Sequence, residues 1–272
     1  MQPIPSRSVK SGDAEILYWS LGDGPAVVLL HPFPVHHEFW MPVAEALSSR
    51  YRVIFPDLRG HGDSGIGDGP ATMEKHALDL RNVMDDAGIG RAPIFGVSIG
   101  GYLLFEFWRT HRSRVAALAL CNTKAPADDA ESRAGRLRAA SDVLERGTEP
   151  FFQSMLERLL GRATRESRPD LVDGALHMMR KMSPQDVALV QRGMADRPDS
   201  VETLKTINVP ALLVTGEEDI LTGVNQAELM RKHIPGSQMR VIPKAGHYAV
   251  FEQPQQAERL LGQFLDSVAG TS

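Results

Sequence analysis

The amino-acid sequence predicts an α/β fold, in which helices flank a mostly parallel sheet and an all-helical segment interrupts the alternation. Short apolar runs such as residues 27–30 and 53–55 are bounded by Gly, Pro and Asp, which is typical of strands buried on both faces. At both ends of the chain these runs alternate with segments of helical period, as parallel βαβ units require. Residues 124–205, in contrast, show helical patterns and no convincing strand.

The predicted elements follow in order along the two outer parts of the chain. Strands are expected at residues 14–20, 26–31, 52–56, 94–97, 115–120, 210–215 and 239–243. Helices are expected at residues 39–49, 73–88, 99–110, 224–233 and 254–268. Gly88 suits the end of a helix, and Pro254 suits the first turn of the last one.

The interrupting segment is interpreted as a cap that lies over the sheet. Helices are predicted at residues 130–146, 149–161, 167–182 and 184–196, punctuated by Gly147, Pro169 and Pro184. This divides the chain into a core of residues 1–123 and 206–272 and a helical cap of residues 124–205. Five of the eleven methionines lie in the cap, where flexible side chains suit either an adaptable apolar surface or ordinary packing.

Composition and charge exclude several classes of protein. The 272 residues are 42% hydrophobic and 24% charged, as expected for one large globular domain or a domain with an insertion. A net charge of −4 without a basic stripe argues against binding to nucleic acid. No apolar stretch reaches the roughly 18 residues of a membrane span, so no membrane association is predicted. Cys121 stands alone, and the first 25 residues lack the apolar core of a signal peptide; we therefore predict a cytoplasmic location.

Ser98 is the predicted nucleophile. It lies in Gly96-Val97-Ser98-Ile99-Gly100, a G-x-S-x-G motif placed between a predicted strand and a predicted helix. That setting favours a sharp turn that exposes the serine hydroxyl, and glycine allows the flanking elements to approach closely. A serine hydroxyl is a weak nucleophile, so a base must take its proton. The alternative is a serine that only caps the following helix.

His247 is the predicted base among nine histidines. It follows the last predicted strand, and loops after parallel strands form the site of an open sheet. The acid that orients it should also follow a strand. Asp219 is preferred in the Gly216-Glu217-Glu218-Asp219 turn, with Glu218 and then Glu217 as alternatives. His36-His37-Glu38 lacks the spacing of a helical metal site and is interpreted as a loop.

Five motifs in order give the chain its resemblance to a known family. They are His31-Pro-Phe-Pro34, the loop of residues 57–64, the Ser98 turn, Gly216–Asp219, and Gly246-His247 followed by Glu252-Gln-Pro254. The chain resembles the α/β-hydrolase family, and within it the small capped esterases and the 3-oxoadipate enol-lactonase-like hydrolases. The resemblance implies an eight-stranded sheet with an inserted cap. It also implies a catalytic triad in the order Ser98, Asp219, His247.

The resemblance also implies an oxyanion hole formed by two backbone N–H groups. These belong to Ile99, directly after the nucleophile, and to Phe33. Pro32 stands where the family usually has Gly, but the expected donor is Phe33, so the pair of N–H groups is retained. Related loops imply that the peptide bond before Pro34 is cis. The resemblance also implies that the loop of residues 57–64 braces the site. His61, within this loop, is disfavoured as the base because its position in the chain does not match the order of the triad.

The leading hypothesis is a carboxylesterase that acts through an acyl-enzyme on small to medium apolar esters or lactones. The residues expected to line its pocket are Met155, Met178, Met179, Met182 and Tyr248. No cofactor, metal ion or macromolecular partner is expected; the oligomeric state stays open and a homo-oligomer is compatible with the sequence. Alternatives are an enol-lactone hydrolase, a cofactor-free perhydrolase, carbon–carbon bond hydrolysis and a slow ligand-binding receptor. Ser at position 98 disfavours epoxide hydrolysis and dehalogenation, which use Asp there.

Overall fold

The apolar runs of the sequence form the centre of one eight-stranded sheet. The computed structural model describes residues 4–269, the last of them by its backbone alone. Its strands are β1 (Ser6–Ser11), β2 (Ala14–Leu21), β3 (Ala26–Leu30), β4 (Arg52–Pro56), β5 (Ala92–Val97), β6 (Val115–Cys121), β7 (Ala211–Gly216) and β8 (Gln238–Ile242). β3 and β5–β7 are almost entirely buried, which is why they consist of apolar residues without alternation.

The strand order brings three sequence-distant loops to one edge of the sheet. The order is β1-β2-β4-β3-β5-β6-β7-β8, with β2 antiparallel to both its neighbours and all other pairs parallel. Val97 pairs with Cys121, and Gly216 pairs with Ile242. The carboxyl ends of β5, β6, β7 and β8 therefore lie side by side, where an open α/β sheet binds its ligands.

Helices of the core cover both faces of the sheet. They are α1 (Met41–Leu47), α2 (Met73–Asp86), α3 (Ile99–His111), α10 (Gly223–His233), α11 (Ala249–Glu252) and α12 (Pro254–Ala269). The connection from β3 to β4 runs in one direction along the sheet, and those from β4 to β5, from β5 to β6 and from β7 to β8 run in the other. Right-handed crossovers therefore place α1 on one face and α2, α3 and α10 on the other. α12 packs beside α1. None of the described helices combines the length and apolarity needed to span a membrane.

The segment between β6 and β7 is helical throughout its regular structure. Its helices are α4 (Ala130–Arg146), α5 (Glu149–Leu159), α6 (Arg162–Ser167), α7 (Pro169–Met179), α8 (Pro184–Ala195) and α9 (Val201–Leu204). Side chains fix their first turns: Asp129 accepts a hydrogen bond from the Ser132 N–H, and Ser183 and Asp186 form a capping box. α4 packs on α8, and α7 packs on α5 and α6.

The elements that differ from the prediction are short or exposed. β1 was not predicted, because its residues are mostly exposed at the sheet edge and alternate weakly in hydropathy. The helix predicted at residues 39–49 divides into a 3₁₀ turn, His37–Trp40, and α1, since Pro42 suits the first turn of a new helix. The short helices α6, α9 and α11 were also missed. The predicted core limits at residues 1 and 272 lie outside the described residues.

Candidate active site

Ser98 occupies a strained turn between β5 and α3. Its φ of 55° and ψ of −111° are rare for a residue with a side chain. The turn closes tightly: a Cβ on Gly96 would lie 2.5 Å from the Gly100 carbonyl, and one on Gly100 would lie 2.8 Å from the Leu30 carbonyl oxygen. The Ser98 carbonyl accepts a hydrogen bond from the Thr123 hydroxyl at 2.8 Å. The glycines of the motif are thus required by close backbone approach, and the half-buried Ser98 side chain is left at the edge of the sheet.

His247 and Asp219 meet in the loops that follow β8 and β7. His247 Nδ1 lies 3.0 Å from Asp219 Oδ2. The same oxygen accepts hydrogen bonds from Asn122 Nδ2 at 2.9 Å and from the Thr222 hydroxyl at 2.5 Å. The other carboxylate oxygen accepts from the backbone N–H groups of Leu221 and Thr222 at 2.8 and 3.0 Å. Five donors therefore converge on one buried carboxylate.

This environment keeps Asp219 ionised and fixes the tautomer of His247. Burial opposes ionisation, but the charge of His247 and hydrogen bonds from His247, Asn122 and Thr222 hold the pKa of Asp219 well below its usual range. An ionised carboxylate only accepts hydrogen bonds, so His247 Nδ1 carries the proton. In the neutral imidazole Nε2 is then bare and able to accept a proton.

Ser98 and His247 border the same cavity, which has a volume of about 440 Å³. Its apolar lining comes from Phe33, Tyr102, Phe151, Met155, Leu159, Met194 and Leu221. The rest of the lining includes charged residues from the helical segment, among them Arg136, Arg138 and Arg158. The cavity is therefore far more polar than the methionine-rich sequence of the cap predicts.

Two backbone N–H groups in the segments that flank the cavity have no hydrogen-bond partner among residues 4–269. One belongs to Ile99, the first residue of α3, and the other belongs to Phe33, which borders the cavity. The Phe33 carbonyl accepts a hydrogen bond from the Tyr248 hydroxyl at 3.0 Å, and the peptide bond from Phe33 to Pro34 is cis. Free N–H groups next to a nucleophile can stabilise an oxygen that becomes negative during attack.

Of the five residues predicted to line the pocket, Met155 borders the cavity. Met178, Met179, Met182 and Tyr248 do not; all four are buried elsewhere. Met178 and Met179 lie away from the cavity because α7 packs against α5, α6 and the 3₁₀ turn His37–Trp40. Tyr248 is held away by its hydrogen bond to the Phe33 carbonyl. The prediction that these four residues line the pocket is therefore wrong.

The alternative acids and bases have other partners. Glu218 accepts a hydrogen bond from the Ala163 N–H at 3.1 Å, and Glu217 accepts one from the Lys244 N–H at 3.1 Å. His61 Nδ1 lies 3.0 Å from the Arg59 carbonyl oxygen, and burial lowers the pKa of His61 to about 4. None of the three borders the cavity.

His36, His37 and Glu38 bring three potential metal ligands within 4.8 Å of one another. The ring of His37, however, stacks on Trp19 at 3.4 Å, and its Nδ1 lies 2.8 Å from Asp57 Oδ1. His37 is thus engaged in packing the loop, and none of the three residues borders the cavity. They are the described residues best placed to hold a cation, at a distance from Ser98.

Asn122 and Glu252 support the site and were not predicted to do so. Asn122 follows β6 with a φ of 43° and donates hydrogen bonds to Asp219 and to the Gly246 carbonyl. Glu252 accepts hydrogen bonds from the Gly246 N–H at 2.8 Å, the Gly161 N–H at 2.8 Å and the Thr164 hydroxyl at 2.6 Å. The sequence contains one signal for Asn122, because it follows a predicted strand, as Asp219 and His247 do.

Comparison with known proteins identifies a family model, solved structures and a curated relative that are similar to this chain. A family model described as the alpha/beta hydrolase fold matches residues 25–254. A thermophilic esterase from Thermogutta terrifontis is 34% identical, with a TM-score of 0.94 over 97% of this chain and 99% of that one. The enol-lactonase from Burkholderia xenovorans LB400 is 25% identical, with a TM-score of 0.89 over 96% of this chain and 100% of that one. The 3-oxoadipate enol-lactonase 1 of Acinetobacter baylyi is 26% identical over 246 residues, 90% of each chain.

Proposed function

Because the chain belongs to the α/β-hydrolase fold family, we propose that it is a serine hydrolase that cleaves carboxylic ester bonds. The observation that carries this proposal is that His247, which is paired with Asp219, borders the same cavity as the strained Ser98. The cavity volume of about 440 Å³ suits small to medium substrates. Residues 124–205 act in this proposal as a cap on the core of residues 1–123 and 206–272.

The mechanism follows from the position of each group. Ser98 Oγ attacks the ester carbonyl while His247 Nε2 takes its proton, and Asp219 stabilises the imidazolium that forms. The N–H groups of Phe33 and Ile99 donate to the oxygen that becomes negative. The imidazolium then protonates the departing alcohol and leaves an acyl-enzyme. Water, deprotonated by His247, releases the acid and restores Ser98.

Enol-lactone hydrolysis is the second candidate. It is favoured by the similarity to two enol-lactonases, each covering nine-tenths or more of both chains. A lactone is an internal ester, so the same groups would open it and keep the alcohol in the product. The 34% identity to an esterase supports the ester substrate as the first choice.

Covalent labelling and ester hydrolysis test the proposal together. We expect a fluorophosphonate to add one adduct mass to the wild-type protein, on the peptide that contains Ser98, and to inactivate it. 4-Nitrophenyl esters from acetate to laurate should be hydrolysed with a chain-length optimum set by the cavity. Labelling at another residue, or turnover that survives complete labelling, would reject Ser98 as the nucleophile.

Activity is expected to fall on acidification with the slope of a single protonation in log(kcat/KM). The hydrogen bonds described above keep the pKa of Asp219 well below its usual range despite burial, so the carboxylate stays charged. Burial lowers the pKa of His61 to about 4 and that of His31 well below its usual value, so both stay neutral. A protonated base cannot accept the proton of Ser98, so the role proposed for His247 requires this loss of rate. A flat rate profile between about pH 5 and 8 would contradict this role.

A further inference from the structure

Positive charge is concentrated on the cap side of the cavity. Four cationic residues, Lys124, Arg136, Arg138 and Arg158, border it. These four cations face two carboxylates of the lining, those of Asp128 and Glu131, although the whole chain has a net charge of −4. Asp128 is also paired with the buried Arg197. A cavity with this excess attracts anions, because low-dielectric walls focus the field of the charges.

Asp128 is surrounded by more positive charge than it can neutralise. Its carboxylate lies 2.6 Å from Arg136 Nε, 2.7 Å from Arg197 Nη1 and 3.1 Å from Lys124 Nζ. The Asp128 side chain is 1% exposed, whereas those of Lys124 and Arg136 are 21% and 22% exposed. One buried carboxylate thus pairs with three cations, two of which also reach the cavity.

Arg136 keeps a donor free for a ligand. Its Nε is used by Asp128, and its Nη1 is used by Gln191 at 3.2 Å and by the Met194 sulfur at 3.5 Å. The Nη2 group has no hydrogen-bond partner in the described part of the chain. The guanidinium is therefore fixed in position by three contacts while one end remains unpaired, which is the preorganised state of a binding group.

Arg138 on α4 and Arg158 on α5 also border the cavity. Neither forms an ion pair within residues 4–269, and both are exposed. Some exposed arginines of the cap do pair, such as Arg180 with Glu149 and Arg168 with Asp170. Arg146 and Arg165 are also exposed and unpaired within the described residues, but they do not border the cavity. At the mouth of the cavity, unpaired arginines from two different helices can attract and orient an anion.

We propose that the substrate of this site is an ester or lactone that carries a carboxylate remote from the bond that is cleaved, bound by Arg136 and by Arg138 and Arg158 at the mouth. The inference rests on the proposed function, since it places the scissile carbonyl at Ser98. It narrows the substrate class from apolar esters to half-esters of dicarboxylic acids and lactones that bear an acid group. The apolar residues Phe151, Met155 and Leu159 then cover the chain between the two groups.

A matched pair of substrates tests the inference. Mono-4-nitrophenyl adipate and the 4-nitrophenyl ester of adipamic acid have nearly the same shape, but only the first carries a negative charge. We expect the wild-type protein to show a higher kcat/KM for the charged ester. Arg136→Gln should lower the ratio of the two values by about tenfold, and the exposed Arg158→Gln by about threefold. High salt should reduce the preference, because it screens exposed charges.

Arg165→Gln is the control for the loss of one positive charge. Arg165 is exposed on α6, outside the cavity, so this variant should keep the wild-type ratio. Hydrolysis of the neutral ester by each variant shows that the protein is folded and that Ser98 still reacts. A wild-type ratio of one or less, or a ratio that Arg136→Gln and Arg158→Gln leave unchanged, overturns the inference.

Calorimetry separates this inference from the proposed function. If the wild-type protein hydrolyses neither ester, esterase activity is rejected, and binding of adipate and adipamide decides the inference alone. Binding of adipate that is stronger than that of adipamide, and that weakens in Arg136→Gln, supports the anion site. Equal binding of the two, or no binding of either, overturns it.

Discussion

Replacement of Ser98 by Ala is expected to lower kcat for a 4-nitrophenyl ester by about 10⁴- to 10⁶-fold, with a much smaller change in KM. The variant removes the oxygen that attacks the carbonyl but leaves the cavity and the N–H groups of Phe33 and Ile99 in place. Residual turnover would come from binding and from these donors, with water as the nucleophile. Steady-state kinetics with purified protein, at substrate concentrations on both sides of KM, measures the effect.

The control for Ser98→Ala is Ser167→Ala. Ser167 is exposed on α6 and donates its hydroxyl hydrogen bond within that helix, at 2.7 Å to the Ala163 carbonyl. Its loss should leave kcat and KM within about twofold, as for most surface substitutions. Near-normal activity of Ser98→Ala would show that another group attacks the ester, and would reject the proposed mechanism.

Replacement of Asp219 by Asn is expected to lower kcat by about 10⁴-fold, an effect known for the acid of such triads. All five contacts of the carboxylate come from donors. An amide offers one acceptor oxygen and one NH₂ group, so some of these donors must face another donor. If the NH₂ group faces His247, the imidazole takes the tautomer with its proton on Nε2 and cannot accept the proton of Ser98.

Two variants show whether the loss belongs to Asp219 itself. Asn122→Ala removes one of the five donors and should lower kcat by about tenfold, since hydrogen bonds to a charged group contribute roughly 1.5–3 kcal/mol. Glu218→Gln changes the neighbouring acid, which has no contact with His247, and should have little effect on kcat. A larger loss in Glu218→Gln than in Asp219→Asn would assign the acid to Glu218.

A local motif made the strained turn at Ser98 predictable from the sequence. Gly96 and Gly100 are needed because the backbone approaches too closely at these positions for a side chain. Since the two residues are close in the chain, the requirement is visible as a short sequence pattern. His247 and Asp219 lie on separate loops, but each follows a strand. Parallel strands end at one edge of the sheet, so the two loops were expected to lie at the same edge, and the pairing of β7 with β8 brings them together.

The cavity lining was less predictable, because it depends on how distant helices rotate against one another. The methionines of α7 and those of α5 and α8 look alike in the sequence. Met155 and Met194 border the cavity, whereas Met178 and Met179 face other helices. The arginines of α4 and α5 were not singled out in the sequence, because their approach to the cavity depends on packing such as that of α4 on α8, far along the chain. β1 was missed for a related reason: an exposed edge strand carries little hydrophobic pattern.

The three hydrogen bonds of Glu252 have a consequence for protein engineering. Its carboxylate holds Gly246, next to His247, with one oxygen, and Gly161 and Thr164 of the cap with the other. Consider a chimera that exchanges the segment between the end of β6 and the start of β7 with that of a relative. It would take the Glu252 carboxylate from one parent and the Gly161 and Thr164 donors from the other. Residues 124–205 are therefore not expected to be freely interchangeable, and recombination breakpoints that keep residues 161–164 and 246–252 together should give more active hybrids.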